Sequence, residues 1–303
     1  MNLARRAALA SVACAVLLGG LKAWAAWRTG SVAVLASLAD SVLDLVASLV
    51  TLAGVHWASQ PADDKHRFGH GKAEALAALF QVAVIAVSAF AILLRASQRL
   101  LERQASVEVE YGIAVSLVAI VVTLALTRYQ RSVVRRTGSL AIGTDRIHYE
   151  SDLFLNGAVI AALALESYAG IAGADAVFGI AIGLWLLFGA WRASVDAIGQ
   201  LMDKEWPEEK RRRFVEVAAR HPELIGLHDL RTRTSGARDF VQFHIWMDPE
   251  MTVAAAHAVV EKLEAELGAA FPGTEILIHV DPEGQVDEPG NPLAETDLLK
   301  ETR

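Results

Sequence analysis

Six stretches of this chain are each about as long as a helix must be to cross a bilayer, and that leaves few architectures open. A hydrocarbon core of roughly 30 Å takes about 20 apolar residues at about 1.5 Å of rise each. Apolar runs of that order occupy residues 8–27, 31–57, 73–94, 111–127, 142–166 and 174–191. A backbone segment in lipid must satisfy its own hydrogen bonds, so each run reads as an α-helix. Trp24, Trp27, Trp57, Tyr111 and Trp191 fall near run ends, where amphipathic rings favour the headgroup level. Arg5 and Arg6 ahead of the first run, with Ala23-Trp24-Ala25 as a small-x-small site, also resemble a signal peptide. Lys22 and Trp24 suit a cleavage region poorly, however, and the next apolar run begins within a few residues, as in a helical hairpin.

Charge separates the chain into two parts. Residues 1–206 carry 17 basic and 16 acidic side chains, whereas the last 97 residues carry 11 and 19. A near-neutral apolar front and a charge-rich acidic end suit different solvents. The net charge of −7 argues against nucleic acid as a partner. Cys14 is the only cysteine and lies in an apolar run, which excludes a disulfide framework or a cysteine metal cluster. No GxxxxGK[ST], HExxH or GxSxG pattern occurs, so the sequence indicates neither an ATP-driven pump nor an enzyme.

Basic residues of the short loops orient the helices. With the N-terminus inside, the inner side holds Arg5, Arg6, Lys65, Arg67, Lys72, Arg128, Arg131, Arg135, Arg136 and Arg146, against Arg28, Arg95, Arg99 and Arg103 outside. The positive-inside rule then predicts both termini in the cytoplasm. The regular spacing of Arg95, Arg99 and Arg103 predicts a third helix that continues past the bilayer with one basic stripe.

Ionisable groups inside the runs carry the chemistry. Asp40 and Asp44 stand four apart in the second run, and His148 and Asp152 repeat that spacing in the fifth. Each pair therefore shares one helix face, about one turn apart. Three unpartnered aspartates would oppose insertion by roughly 7 to 10 kcal/mol. A divalent cation held by three carboxylates and one imidazole would offset that cost, and four ligands from two facing helices make a tetrahedral shell suited to zinc. Structural hydrogen bonds between helices, or a proton relay without metal, are the competing readings.

From Pro207 the pattern shifts to short elements. Residues 207–221 read as a helix, with Pro207 in the first turn and Glu208 and Glu209 at its positive end. Residues 227–234 and 240–247 read as antiparallel strands around a Ser235-Gly236-Ala237-Arg238 turn. Val253, His257, Val260, Leu263 and Leu267 give the apolar face of a second helix, and 275–281 a last strand. The expected fold is thus an all-α six-helix transmembrane domain over 1–206, then a small cytoplasmic α+β ferredoxin-like domain of order αββαβ over 207–282. At about 75 residues the second domain is marginal alone, which favours dimerisation through it. The tail over 283–303, rich in Pro, Gly and acids, reads as disordered. His228, His244, His257, His279 and Asp281 fall in these elements, a density that reads as a metal site. Scattered surface histidines are the alternative.

Three segments carry a family resemblance. They are Ser37-Leu38-Ala39-Asp40-Ser41-Val42-Leu43-Asp44, then Gln60-Pro61-Ala62-Asp63-Asp64-Lys65-His66-Arg67-Phe68-Gly69-His70-Gly71-Lys72-Ala73-Glu74, then His148-Tyr149-Glu150-Ser151-Asp152. Together they resemble the cation diffusion facilitator family, most of all its bacterial zinc and ferrous-iron efflux branch, over nearly the whole chain to about Pro282. The resemblance implies a homodimer in the bacterial inner membrane that moves divalent metal out of the cytoplasm in exchange for protons. It implies that Asp40, Asp44, His148 and Asp152 form the transport site. Asp63, His66 and His70 would form a second site in the loop after the second span, with Asp64 able to replace Asp63. It also implies a binuclear site at the C-terminal histidines, and it assigns Lys72 and Asp203 to salt bridges near the cytoplasmic face. Zinc is the expected substrate because of His148, since an all-oxygen site would better suit manganese; ferrous iron, cadmium, cobalt and manganese are the alternatives, and ligand softness does not separate Fe2+ or Cd2+ from zinc. A membrane-anchored zinc sensor is the reading from another class, and it leaves the buried aspartates unexplained.

Overall fold

The computed structural model describes residues 3–29, 32–102, 110–169, 173–285 and 297–299. Six long helices come first: α1 (Leu3–Thr29), α2 (Val32–Ala58), α3 (Ala73–Glu102), α4 (Glu110–Thr137), α5 (Leu140–Ala169) and α6 (Ala174–Leu201). Five of them, all but α5, are long and apolar enough to cross a membrane. In α5 the apolar pattern is interrupted by Asp145, Arg146, His148, Glu150 and Asp152. α3 does run on past the predicted apolar stretch, to Glu102, while Arg103 lies outside the described residues. α4 likewise continues to Thr137, its last turns carrying Arg135 and Arg136.

The helices pack in antiparallel sequence, and the side chains they bury change character turn by turn. At one level Ala8 of α1, Val55 of α2, Ala77 of α3, Val133 of α4 and Ile142 of α5 form an apolar cluster. The close approach of α2 to α3 there depends on Gly54, where a Cβ would stand 2.4 Å from the Cβ of Ala77, as small residues allow at helix contacts in lipid. One helical turn further along each helix come Ser11, Thr51, Gln81, Gln130 and Asp145, all buried and all polar. Beyond them come Ser48 with Tyr149, then Asp44 with His148. α3 and α6 pack through Ile85, Ala89, Leu186 and Ala190. At the start of α5, Ser139 donates to Glu74 Oε2 of α3 over 2.6 Å.

The chain divides into two compact units, Met1–Ile198 and Gly199–Arg303. In the second, α7 (Glu208–Ala218), β1 (Gly226–Ser235), β2 (Arg238–Met247), α8 (Val253–Ala270) and β3 (Thr274–Pro282) give the αββαβ order expected. The sheet order is β1-β2-β3, with β1 antiparallel and β3 parallel to β2. One sheet face packs on the helices through Phe214, Val241, Phe243, Ile245, Leu263 and Leu267. The other face carries His228, His244, His279 and Asp281 together with Trp246 and Leu277.

Of the tail whose composition reads as disordered over 283–303, residues 283–285 and 297–299 are described. Leu299 is 2% exposed and joins that core, while Asp297 accepts the Leu227 backbone N–H of the edge strand β1 through Oδ1. Proline and acid content suggested disorder, but a single leucine in a pocket and one carboxylate on an unpaired strand N–H suffice to fix a short segment. Residues 286–296 and 300–303 lie outside the described residues.

Candidate metal centres

Among the described residues, three groups of side chains place metal-binding atoms within 4.8 Å of one another: Asp44, His148 and Asp152; Asp63, His66 and His70; and His228, His244 and Asp281. All three fall within sets the sequence singled out.

The intramembrane group joins two helices. His148 of α5 is buried, and its Nε2 lies 3.0 Å from Oδ1 of Asp44 on α2. Asp152, one turn beyond His148, completes the set. The His148 face of α5 is tied down on both sides. Tyr149 Oη donates to the Ser11 carbonyl over 3.0 Å and lies 2.9 Å from Ser48 Oγ. Ser151 Oγ bonds the His148 carbonyl, and Asn156 Nδ2 the Asp152 carbonyl. Asp40 sits one turn before Asp44 on α2, and its side chain is outside the described residues.

The loop group is built on a turn between α2 and α3. Asp63 Oδ1 accepts the backbone N–H groups of His66 and Lys65, at 2.7 and 2.9 Å. His66 Nδ1 stands 3.0 Å from Oδ1, and His70 Nε2 3.4 Å from Oδ2. An Asx-type turn, not a helix, therefore brings the three side chains together. The two imidazole rings are 4.4 Å apart. The His66 N–H, then that of Lys65, with the His66 ring besides, hold the Asp63 carboxyl below the ordinary aspartate range despite the opposing pull of desolvation. Asp64 pairs with Arg67 at 3.7 Å, away from this group.

The third group lies on the open face of the C-terminal sheet. His228, His244 and His279 are register partners, one from each strand. Asp281 stands two residues along β3, on the same face, and its carboxylate serves all three rings. Oδ2 is 2.9 Å from His244 Nδ1 and 3.3 Å from His228 Nε2, while Oδ1 is 3.2 Å from His279 Nε2. His228 is 1% exposed, yet neither ring nitrogen has a hydrogen-bond partner. A buried imidazole in that state costs free energy unless something coordinates it, so the donor set fits a cation. β1 reaches the site through a register shift between His228 and Arg231, with Asp229 at φ 49°. His257 is elsewhere: it lies on α8, well exposed, 3.5 Å from Glu261.

Of the residues expected in salt bridges, Lys72 begins the turn that leads into α3, where its carbonyl accepts the Leu76 N–H. Asp203 lies 3.4 Å from Arg233 within the second unit. The sequence reading missed Asp145, whose carboxylate is fully buried among donors from three other helices. Its signal was available, since Asp145, His148 and Asp152 follow the i, i+3, i+7 spacing of one helix face.

Residues 8–202 match the family model for the cation efflux transmembrane domain, and residues 206–283 that for the cation efflux protein cytoplasmic domain. The cation-efflux pump FieF of Pectobacterium atrosepticum is 46% identical over 282 residues, spanning 93% of this chain and 94% of the relative. Its counterpart in Cronobacter sakazakii is 44% identical over 281 residues, spanning 93% of each. Among solved structures, the metal-bound C-terminal domain of the CzcD transporter from Thermotoga maritima is 28% identical, covering 27% of this chain and 99% of that one at a TM-score of 0.25. Matched along nearly its full length, with ionisable side chains inside a multi-pass helical bundle, the chain belongs to the cation diffusion facilitator family, whose members are divalent metal cation efflux transporters and not enzymes.

Proposed function

We propose that this protein exchanges zinc for protons, exporting the metal from the cytoplasm across a bacterial inner membrane. The observation that carries the reading is the meeting of Asp44, His148 and Asp152 from two helices of an apolar bundle. Intramembrane ionisable groups are costly and mark ion pathways. Carboxylate and imidazole bind metal only when deprotonated, so protons arriving from the far side displace the ion, and the next ion releases them. Asp40, on the same helix face as Asp44 by its spacing, supplies the fourth ligand of a tetrahedral shell. The imidazole favours zinc over manganese, and ferrous iron and cadmium are the neighbouring substrates.

The other two groups take supporting parts. Asp63, His66 and His70 form an exposed landing site at the end of α2, on the side that the basic loops place in the cytoplasm. His228, His244, His279 and Asp281 hold metal that stiffens the C-terminal sheet and, with His257 on the neighbouring helix, supports a homodimer. His257 and Asp281 line one cavity with Met247, Met251 and Val260.

The test is zinc transport into proteoliposomes carrying an imposed pH gradient and an internal pH dye. The parent is expected to move zinc against opposing proton flux, and Asp152→Ala to lose both. Zinc flux indifferent to Asp152 would refute the site, and zinc flux without proton movement would refute the exchange.

A further inference from the structure

Asp145 sits at the centre of the buried polar layer, and its two oxygens tie four helices together. Oδ2 accepts Ser11 Oγ of α1 at 2.6 Å and Gln130 Nε2 of α4 at 2.7 Å, and Oδ1 accepts Gln81 Nε2 of α3 at 2.8 Å. The donors are linked among themselves: Gln130 Nε2 also reaches Ser11 Oγ at 3.0 Å, and Gln81 Nε2 reaches Thr51 Oγ1 of α2 at 3.0 Å. Every one of these residues is buried, and the amide oxygens of both glutamines lack a partner. The amide and hydroxyl donors of the layer converge on one carboxylate.

We infer that Asp145 is a positioning residue for the metal site: by fixing the rotation of α5 against α1, α3 and α4, it aims His148 and Asp152 at Asp44. This rests on the transport-site reading above. The geometric reason is the helical repeat. A residue three before His148 on the same face controls the azimuth of that face, and a side chain about 6 Å from the helix axis swings by about 1 Å for each 10° of rotation, enough to spoil metal geometry. Tyr149 holds the adjacent turn through Ser11 and Ser48, so His148 lies between two anchors that share Ser11. The side-chain bonds of Asp145 run to Ser11, Gln81 and Gln130, so its effect on the ligands is transmitted through the backbone of α5.

The hydrogen-bond inventory makes the role separable from charge. An asparagine has one acceptor and one donor end. Gln81 or Gln130, turned over, would present its now unpartnered oxygen to that donor. Asp145→Asn should therefore keep the anchor, whereas Asp145→Leu removes the one acceptor that joins donors of three other helices to α5, leaving them only their bonds to Ala7, Thr51 and one another. The measurement is zinc flux in proteoliposomes as a function of zinc concentration, on full-length protein shown to be monodisperse in detergent. Asp145→Leu is expected to raise the half-saturating zinc at least about tenfold, with maximal rate within about threefold of the parent, and Asp145→Asn to restore saturation to within about threefold. An Asp145→Asn as impaired as Asp145→Leu would show that the charge itself is used, and would overturn the inference. So would parent-like saturation in Asp145→Leu, or a loss confined to the maximal rate. Should Asp145→Leu fail to fold, Gln130→Leu, which removes one tie, is expected to raise half-saturation about threefold or more, and no rise overturns the proposal. Asp44→Ala runs alongside: if it transports normally, the transport-site reading fails, whatever the Asp145 variants do.

Discussion

His228 offers a sharp test because the structure makes it a stability liability without metal. Its imidazole is 1% exposed, both nitrogens lack hydrogen-bond partners, and the Asp281 carboxylate at 3.3 Å is out of line for one. An unsatisfied buried polar group costs about 1–3 kcal/mol, and an apolar replacement of similar shape removes that cost. Allowing for imperfect packing against Trp246, whose ring lies 4.8 Å away, His228→Leu should stabilise the metal-free sheet by about 1 kcal/mol. That slows hydrogen exchange of the Phe243 and Ile245 amides about fivefold in chelator. Zinc reverses the order. At about 100 times its dissociation constant, a ligand of the folded state adds about 2.7 kcal/mol, so the parent should gain about 100-fold protection and His228→Leu far less. Exchange measured by mass spectrometry on the full chain, with and without zinc, reads both effects in the same peptides. A variant less protected than the parent in chelator, or equally protected by zinc, would refute the reasoning.

Other perturbations follow from single contacts. Asp63 has a lowered pKa, so its turn is fully formed above the ordinary aspartate value of about 3.9 and is lost only as pH falls through the lower folded value. A carboxyl-carbon NMR titration should give a midpoint below that value, and one at or above it would contradict the turn. Gly54→Leu should force α2 from α3 at Ala77, costing about 1–3 kcal/mol of stability and lowering flux; a Gly54→Ala and Ala77→Gly pair, left with only the 3.1 Å approach to the Ala73 carbonyl, should melt closer to the parent temperature than Gly54→Leu. Leu299→Ala should cost the C-terminal domain about 2 kcal/mol, seen as faster exchange at Leu227, and unchanged exchange would mean that the tail does not close the core.

Much of this arrangement was legible in the sequence, for a physical reason: lipid and metal both impose spacing. DxxxD and HxxxD in separate apolar runs can serve one ion only if two helices face each other, and Asp44 and His148 do stand 3.0 Å apart. The strand period likewise put His279 and Asp281 on one face. Asp145 shares a helix face with His148 and Asp152 by spacing, but its role is not legible there, because its donors lie 15, 64 and 134 positions away and only folding brings them in. His257 lies on α8, which covers the opposite sheet face from the one that carries His244, and it meets the C-terminal group only at the cavity that it lines with Asp281. In the tail, composition averages over residues and does not register that Leu299 needs only one pocket.

The histidine row has a consequence for how the sheet assembles. Because His228, His244 and His279 stand at one level of three strands, a slip of one residue in either pairing would turn a histidine toward the core face. A cation held by the row therefore adds to the preference for a single alignment that the buried core face, with Val241, Phe243 and Ile245, already imposes. The parallel pairing of β2 with β3, which spans the whole of α8, is the slow long-range step of such a fold. An ion that rewards only the completed pairing would make the supply of correctly assembled exporter rise with the metal it removes, and leave misaligned chains to proteolysis when metal is scarce.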